Sequence, residues 1–269
     1  MITLPLLVEP TELQSHLHRP ELLIVDLCLP EQYSRGHIPN AVHLDYTQIV
    51  ASRPPVMGLL PSTDSISRTL AAIGLSRDRH IVAYDDEGGG KASRLLWTLH
   101  ALGHEKISLL NGGLHSWAKE EHPLTDEVTL PQSSDYQANY TGEFIADRHH
   151  ILERLGAEDF VTLDARSLAE YEGEDIRAKR GGHIPGAKHL DWLEILDRNH
   201  NLRLLPTSML REKLEGLDIT ADKEVVVYCH SHHRSALSYL MLKLLGYERV
   251  KGYPGSWSDW GNQPDTPVE

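Results

Sequence analysis

One short segment of the chain combines a nucleophile with several basic side chains. The segment is Cys229, His230, Ser231, His232, His233 and Arg234. The apolar run that ends at Tyr228 predicts a buried strand, and a helical pattern begins near Ser235 or Ala236. We therefore expect Cys229 to open a tight loop at the carboxyl end of a parallel strand, which is where open α/β sheets bind their ligands.

Three physical effects would favour an ionised sulfur at Cys229. Free N–H groups at a helix N-terminus point into such a loop, and the helix dipole favours a negative charge there by roughly 0.3–1 kcal/mol. Arg234 adds a permanent cation, and the three histidines add titratable ones. The pKa of the thiol is thus expected below the value of about 8.5 for a free cysteine. The alternative for Cys229 is a buried structural cysteine. We interpret Cys28 as a cysteine of that kind.

The chain also repeats itself at a long interval. Gly-His-Ile-Pro occurs at 36–39 and again at 182–185, and each copy is followed by His-Leu-Asp. Further echoes keep the same order along the chain, so the period indicates two duplicated domains. Asp85 stands at the place of Cys229 in the first copy and is followed by Asp86 and Glu87. That loop has no nucleophile and would repel an anion, so we expect an inactive copy.

Apolar β-branched runs alternate with helical patterns in both copies. This alternation predicts an α/β fold in which each domain is a small parallel sheet flanked by helices. Strands are predicted at 160–164, 224–228 and 248–251, and an amphipathic helix at 237–245 that ends at Gly246. Thr11 to Gln14 predicts a capping box that opens an early helix. The expected division is an inactive domain at 1–120, a linker at 121–141 and a catalytic domain at 142–269.

Composition excludes several classes of function. A formal net charge of −13 argues against a nucleic-acid partner, because phosphate neutralisation needs a basic surface. Runs of eighteen apolar residues and a signal-like N-terminus are absent from the sequence, so we expect no membrane association. Two cysteines without a Cys-x-x-Cys pair favour a reducing, cytoplasmic setting and no zinc site. The adjacent histidines at 149–150 and 232–233 diverge on a helix, so we expect no metal.

Over essentially its whole length the chain resembles the tandem-domain rhodaneses, which are bacterial thiosulfate sulfurtransferases. The resemblance rests on both Gly-His-Ile-Pro motifs, on the loop at 229–234 and on Gly-Ser-Trp-Ser-Asp-Trp at 255–260. The loop is most similar to the Cys-Gln-Thr-His-His-Arg loop of the Azotobacter-type enzymes. The resemblance implies two similar domains, no cofactor and a ping-pong relay. In that relay Cys229 takes the outer sulfur of thiosulfate as a persulfide and passes it to cyanide or a thiol.

The resemblance also implies which residues bind the donor: the loop from His230 to Arg234 and, beside it, Arg166. Some relatives place a substrate-binding arginine directly before the tyrosine matched by Tyr171, but this chain has Glu170. The basic residues Arg177, Lys179 and Arg180 either line the entrance to the site or, as charge runs usually do, form a solvated surface loop. His37 and His183 occur in both copies, which favours a role in a turn over catalysis.

Three alternative functions have to be separated from this one. A 3-mercaptopyruvate sulfurtransferase would use the same cysteine with another donor, and a sulfur-carrier or interaction module would not turn over. A cysteine phosphatase or arsenate reductase is the third alternative, but loops of that type hold five residues between Cys and Arg. Only four lie between Cys229 and Arg234, so the shorter ring suits a sulfur atom better than a tetrahedral oxyanion. We expect the protein to act as a monomer.

Overall fold

The structure is a computed structural model that describes residues 3–269. The strands are β1 Leu7–Val8, β2 Leu22–Asp26, β3 Val42–His43, β4 Ala51–Arg53, β5 Val56–Leu59, β6 His80–Tyr84, β7 Ile107–Leu110, β8 Phe160–Asp164, β9 Lys188–His189, β10 Leu196–Asp197, β11 Arg203–Leu204, β12 Glu224–Tyr228 and β13 Val250–Gly252. The α-helices are α1 Pro10–Gln14, α2 Pro30–Arg35, α3 Thr63–Ala72, α4 Gly90–Ala101, α5 Gly113–Lys119, α6 Arg148–Arg154, α7 Leu168–Tyr171, α8 Thr207–Gly216, α9 Arg234–Leu244 and α10 Ser256–Trp260.

The chain divides into two units, and each is completed by a short segment from the other half of the sequence. Unit 1 comprises 1–50, 61–141 and 197–204, and unit 2 comprises 51–60, 142–196 and 205–269. The hairpin of β4 and β5 therefore belongs to unit 2, although it lies in the first half of the sequence. A linear division at 1–120, 121–141 and 142–269 does not anticipate this exchange, and those boundaries stay a prediction.

Unit 1 contains a parallel sheet in the order β1-β7-β6-β2-β3. The β-branched and leucine-rich runs of β2 and β6 are buried along their whole length, as expected for central strands that are covered on both faces. Asp26 and Tyr84 end these two strands side by side. Buried side chains that include Val8, Leu13 and Trp117 form a core cluster here.

Unit 2 contains a parallel sheet in the order β13-β12-β8-β9. Asp164 and Tyr228 end β8 and β12 at the same level of the sheet. The three valines of β12 are fully buried, and each contributes about 1.5–3 kcal/mol by leaving water. Helix α9 packs against β12 and β13, so the end of β12 and the start of α9 are held in place by the core.

The structure confirms the predicted strands at 160–164 and 224–228. It shifts the third strand from 248–251 to Val250–Gly252 and begins α9 at Arg234. The capping box at Thr11 is wrong, because Pro10 occupies the first turn of α1 and Glu9, which makes no side-chain cap bond, precedes it. Among the described residues, the helices are all too short or too polar to cross a bilayer.

Candidate active site

The candidate site is the five-residue turn from β12 into α9. Val225 to Tyr228 pair with β8 and β13, and the Tyr228 hydroxyl accepts a hydrogen bond of 3.2 Å from the Ile184 N–H. Because both flanking elements are buried, the turn at 229–233 has little freedom. It carries Cys229 at its first position and Arg234 at the first position of the helix.

Ser256 holds the turn from the side of α10. Its hydroxyl accepts hydrogen bonds from the N–H groups of Cys229 at 3.3 Å and His232 at 3.0 Å, and donates to the Tyr253 carbonyl. Ser256 and His232 both have a positive φ, a conformation that costs a non-glycine residue about 1–2 kcal/mol. The surrounding bonds offset this strain and fix the direction of the loop amides.

The Cys229 side chain is buried, with 1% of its surface exposed. Burial alone would raise the pKa of its thiol, but the Arg234 charge, the Ser235 hydroxyl and the N–H groups of Ser235 and Ser231 outweigh it and lower the pKa to about 7. Half of the thiol is therefore ionised at neutral pH. The pKa of this thiol is thus lowered in the direction that the sequence predicts, and the groups that lower it are one arginine, one hydroxyl and two amides.

Ser235 connects the sulfur to His232. The Ser235 hydroxyl hydrogen-bonds the sulfur and lies 2.8 Å from Nδ1 of His232, both side chains being fully buried. When this hydroxyl donates to the sulfur, its lone pairs accept from a protonated Nδ1. Ser235 thus lies between His232 and Cys229, and the sequence marked it only as the start of a helix.

Arg234 is clamped by a carboxylate. Its two terminal nitrogens donate to Glu170, over 2.6 Å to Oε2 and 2.9 Å to Oε1. Glu170 is 1% exposed, and despite this burial the paired arginine lowers the pKa of its carboxyl to about 2. This bidentate geometry is the strong form of an ion pair, and the carboxylate stands where some relatives place an arginine.

The remaining loop residues, His230, Ser231 and His233, have different surroundings and different contacts. Burial lowers the pKa of His230, so the expectation that His230 adds a titratable cation near neutral pH is wrong. Its Nδ1 is buried without a hydrogen-bond partner. His233 is half-buried, with 6.3 Å between the centroids of its ring and the Trp192 ring. Ser231 contributes a backbone N–H to the Cys229 sulfur.

Arg166 is buried in unit 2 and has its own partners. It is 1% exposed, donates to both carboxylate oxygens of Asp164 and to the Gly182 carbonyl, and stacks 4.5 Å over the Trp257 ring. These contacts commit its guanidinium to the protein interior. Direct donor binding by Arg166 therefore stays an expectation without support from its contacts.

Two arginines of the basic stretch before the second Gly-His-Ile-Pro motif, Arg177 and Arg180, have different roles. Arg180 donates to the carbonyls of Trp260, Gln263 and Thr266, so it ties down the chain after α10 and is not a solvated surface residue. Arg177 is half-exposed, bonds Asp175 and lies 3.8 Å from Glu170. Arg177 is thus the member of this stretch that approaches the Arg234 ion pair.

The hairpin of β4 and β5 contacts the loop through Gly58. A Cβ placed on Gly58 would lie 2.0 Å from the Ser231 carbonyl oxygen, and the backbone of Gly58 has a φ of +69°. The adjoining Met57 N–H donates to the Ser258 hydroxyl at 2.8 Å. Only glycine permits this approach without displacing the loop. The sequence repeat does not indicate the contact between Gly58 and Ser231.

The corresponding loop of unit 1 holds a carboxylate in place of the sulfur. Asp85 accepts hydrogen bonds from the N–H groups of Glu87, Gly89 and Ala92 at 2.8–3.0 Å. Glu87 lies two residues after Asp85, as Ser231 does after Cys229. The turn therefore presents inward-pointing amides in both units, and in unit 1 its own side chain occupies them.

The repeated histidines have the same structural role in both units. His37 stacks on Tyr33 and His183 on Tyr171, each with 3.7 Å between ring centroids, and each Nδ1 bonds the carbonyl of the stacked tyrosine. The predicted role in a turn is confirmed. Cys28 is buried in the core of unit 1, where burial and the Asp26 charge raise the pKa of its thiol.

Comparison with known proteins gives consistent matches. The model of the rhodanese-like domain family matches residues 9–120 and 147–263. The thiosulfate sulfurtransferase of Azotobacter vinelandii is 44% identical over 267 residues, which cover 99% of this chain and 98% of that protein. The thiosulfate sulfurtransferase of Pseudomonas aeruginosa is 43% identical over 266 residues, covering 99% and 97%.

A solved structure agrees with these matches. The crystal structure of the 3-mercaptopyruvate sulfotransferase from Escherichia coli superposes with a TM-score of 0.83 at 28% identity, over 94% of this chain and 99% of that one. Both the resemblance inferred from the motifs and the predicted fold class are confirmed. The chain belongs to the rhodanese-like family and is a sulfurtransferase built from two rhodanese-like domains.

Proposed function

We propose that the protein transfers the outer sulfur of thiosulfate to a thiophilic acceptor, cyanide or a thiol, through a persulfide on Cys229. The observation that carries this proposal is the Cys229 thiol, whose pKa is lowered to about 7 by Arg234 and the donors of its own turn. A thiolate is the form that attacks sulfur. The relatives named thiosulfate sulfurtransferases add support to the choice of donor.

The reaction has two balanced steps. The Cys229 thiolate attacks the outer sulfur of thiosulfate, the S–S bond of the donor breaks, and sulfite leaves with the bonding electron pair. The negative charge then lies on the terminal sulfur of the persulfide, where the loop amides and Arg234 stabilise it. In the second step the acceptor attacks that sulfur, and Cys229 leaves as a thiolate. With cyanide the product is thiocyanate, and each half-reaction ends with a stable enzyme form.

A mass measurement tests the persulfide. The purified protein is treated with thiosulfate, and the intact mass is compared before and after cyanide. We expect one added sulfur atom that cyanide removes, in the native protein and in Cys28→Ser but not in Cys229→Ser. Cys28 provides the matched control, because it is the other cysteine of the chain. Sulfur that loads equally onto the Cys229→Ser variant would refute the assignment.

The pH dependence of loading follows from the same thiol. Because the thiolate fraction rises through a pKa of about 7, the initial loading rate should rise about tenfold from pH 6 to 8 and level off above that. Initial rates with 3-mercaptopyruvate in place of thiosulfate separate the second candidate donor. A strong preference for 3-mercaptopyruvate, or turnover of an aryl phosphate, would contradict the proposed activity.

The contacts in unit 1 support a non-catalytic first domain. In unit 1, Asp85 stands in the turn at the place that corresponds to Cys229 of unit 2. The pKa of the Cys28 thiol is raised, so neither residue offers a nucleophile. We therefore assign sulfur transfer to unit 2 alone. Loading of more than one sulfur atom per chain, with the second on Cys28, would overturn this part of the proposal.

A further inference from the structure

Glu170 occupies a position that a capping role alone does not explain. In helix α7 its backbone N–H is capped by Ser167, and its carboxylate bonds the Ser167 N–H in return. The same carboxylate faces Arg234 with both oxygens and is almost fully buried. A buried carboxylate that meets an arginine in this way fixes the plane of the guanidinium as well as its distance.

The charge of Glu170 acts on the thiolate through Arg234. Arg234 is the largest single influence that favours the ionised form of Cys229, and Glu170 sets a full negative charge against that arginine. Arg177 lies 3.8 Å from the same carboxylate but bonds Asp175 as well. An anionic donor that approaches Cys229 therefore meets paired cations rather than bare ones.

We propose that Glu170 is a positioning and specificity residue: it holds the Arg234 guanidinium at the Cys229 loop, cancels part of its charge, and so limits how strongly the site attracts an anionic donor. This inference deepens the proposed function, on which it rests for the identity of the reacting sulfur. With Glu170 present, the loop should attract a dianion such as thiosulfate less strongly than the same loop would without a carboxylate.

The test uses two alkylating reagents that differ in charge, and it needs no sulfur transfer. Rates of Cys229 alkylation are measured with neutral iodoacetamide and anionic iodoacetate in a Cys28→Ser background. The ratio of the two rates cancels the thiolate fraction and reports the charge felt by an incoming anion. We expect Glu170→Gln, which retains a hydrogen-bond acceptor for Arg234, to raise the iodoacetate-to-iodoacetamide ratio roughly three- to tenfold. The pKa of Cys229 should fall by roughly half to one unit.

The matched control is Glu174→Gln, which makes the same charge change at an exposed position of the same stretch. We expect its ratio to stay within about twofold of the native value, because exposed charges are screened. A folded Glu170→Gln protein with an unchanged ratio and an unchanged Cys229 pKa overturns the proposal. If Glu170→Gln only lowers the thermal stability and neither the ratio nor the pKa changes, Glu170 acts as a helix cap alone. That result overturns the proposal as well.

A second variant covers the case in which Glu170→Gln does not fold. Arg234→Lys keeps the positive charge but loses the bidentate bond to Glu170, so the ammonium is no longer fixed at the loop. We expect the iodoacetate-to-iodoacetamide ratio to fall about threefold, and an unchanged ratio contradicts the positioning role. If these ratios change as expected while thiosulfate never loads sulfur onto Cys229, the proposed function fails and the role of Glu170 stands.

Discussion

Adding one methyl group to Gly58 should disable the loop that carries Cys229. The Cβ of Gly58→Ala would lie 2.0 Å from the carbonyl oxygen of Ser231, 2.6 Å from its carbonyl carbon and 2.8 Å from its Cα. All three atoms are backbone, so rotation of a side chain cannot relieve the contact. Since real Cβ contacts are not shorter than 3.0 Å, the hairpin and the loop must separate by about 1 Å.

The expected cost has two parts. Alanine at a φ of +69° costs about 1–2 kcal/mol, and overpacking against the Ser231 backbone costs about 1–3 kcal/mol. The loop shift also moves the Ser231 N–H, which is one of the two backbone amides that bond the Cys229 sulfur. Losing a hydrogen bond to a charged group is worth about 1.5–3 kcal/mol, so the pKa of Cys229 should rise from about 7 by roughly one unit or more.

A second glycine separates strain from contact. Gly186 has a φ of +71°, and a Cβ added to it would meet no atom within 4 Å. Gly186→Ala should thus carry the conformational cost alone. We compare urea unfolding and the pH dependence of iodoacetamide alkylation for both variants. Equal destabilisation of the two, together with an unchanged Cys229 pKa in Gly58→Ala, would refute the reasoning from the contact.

Three further predictions concern the electrostatics of the two loops. Ser235→Ala removes the hydroxyl that bonds the Cys229 sulfur, so alkylation against pH should show a Cys229 pKa roughly one unit higher. Asp85→Ala leaves the buried amides of Gly89 and Ala92 and the half-buried amide of Glu87 without their acceptor; urea unfolding should show a loss of about 1–3 kcal/mol, and sulfur loading should stay on Cys229. The folded-state pKa of Glu170 is about 2, below its ordinary 4.5, so its pairing stabilises the fold fully above pH 4.5. That contribution of roughly 1–3 kcal/mol is lost as the pH falls towards 2, and acid unfolding of Glu170→Gln should lack it.

The position of the nucleophile could be predicted because it depends on local signals. An apolar β-branched run ends at Tyr228, a helical period follows, and a lone cysteine lies between them, so the strand-loop-helix geometry leaves one place for its sulfur. The fold class followed from the same alternation in two copies. These features depend on short stretches of sequence, and the packing of the core in each unit is consistent with them.

The partners of the loop could not be predicted, because they arrive from distant parts of the chain. Gly58 lies 173 positions before Ser231 in the sequence, and the hairpin that carries it joins unit 2 from the first half. The sequence marks Glu170 only as a departure from relatives that place an arginine there, and the pattern Ser-x-x-Glu accounts for it locally as a capping box, so its pairing with Arg234 could not be predicted. In the sequence repeat, Pro254-Gly255-Ser256 corresponds to Asn111-Gly112-Gly113. The Ser256 hydroxyl therefore has no counterpart in the first half, and the repeat does not point to it.

The two loops of this chain separate what the fold supplies from what the chemistry requires. Asp85 and Cys229 both follow a buried tyrosine, and both side chains accept hydrogen bonds from amides of their own turn. The amides are therefore a property of the turn and are indifferent to whether oxygen or sulfur occupies them. What unit 2 adds at the same place is a polarisable sulfur, with the Arg234 charge and the Ser235 hydroxyl beside it. Because the first loop carries Asp85 there, its amides hold a negative group but offer no atom that accepts sulfur.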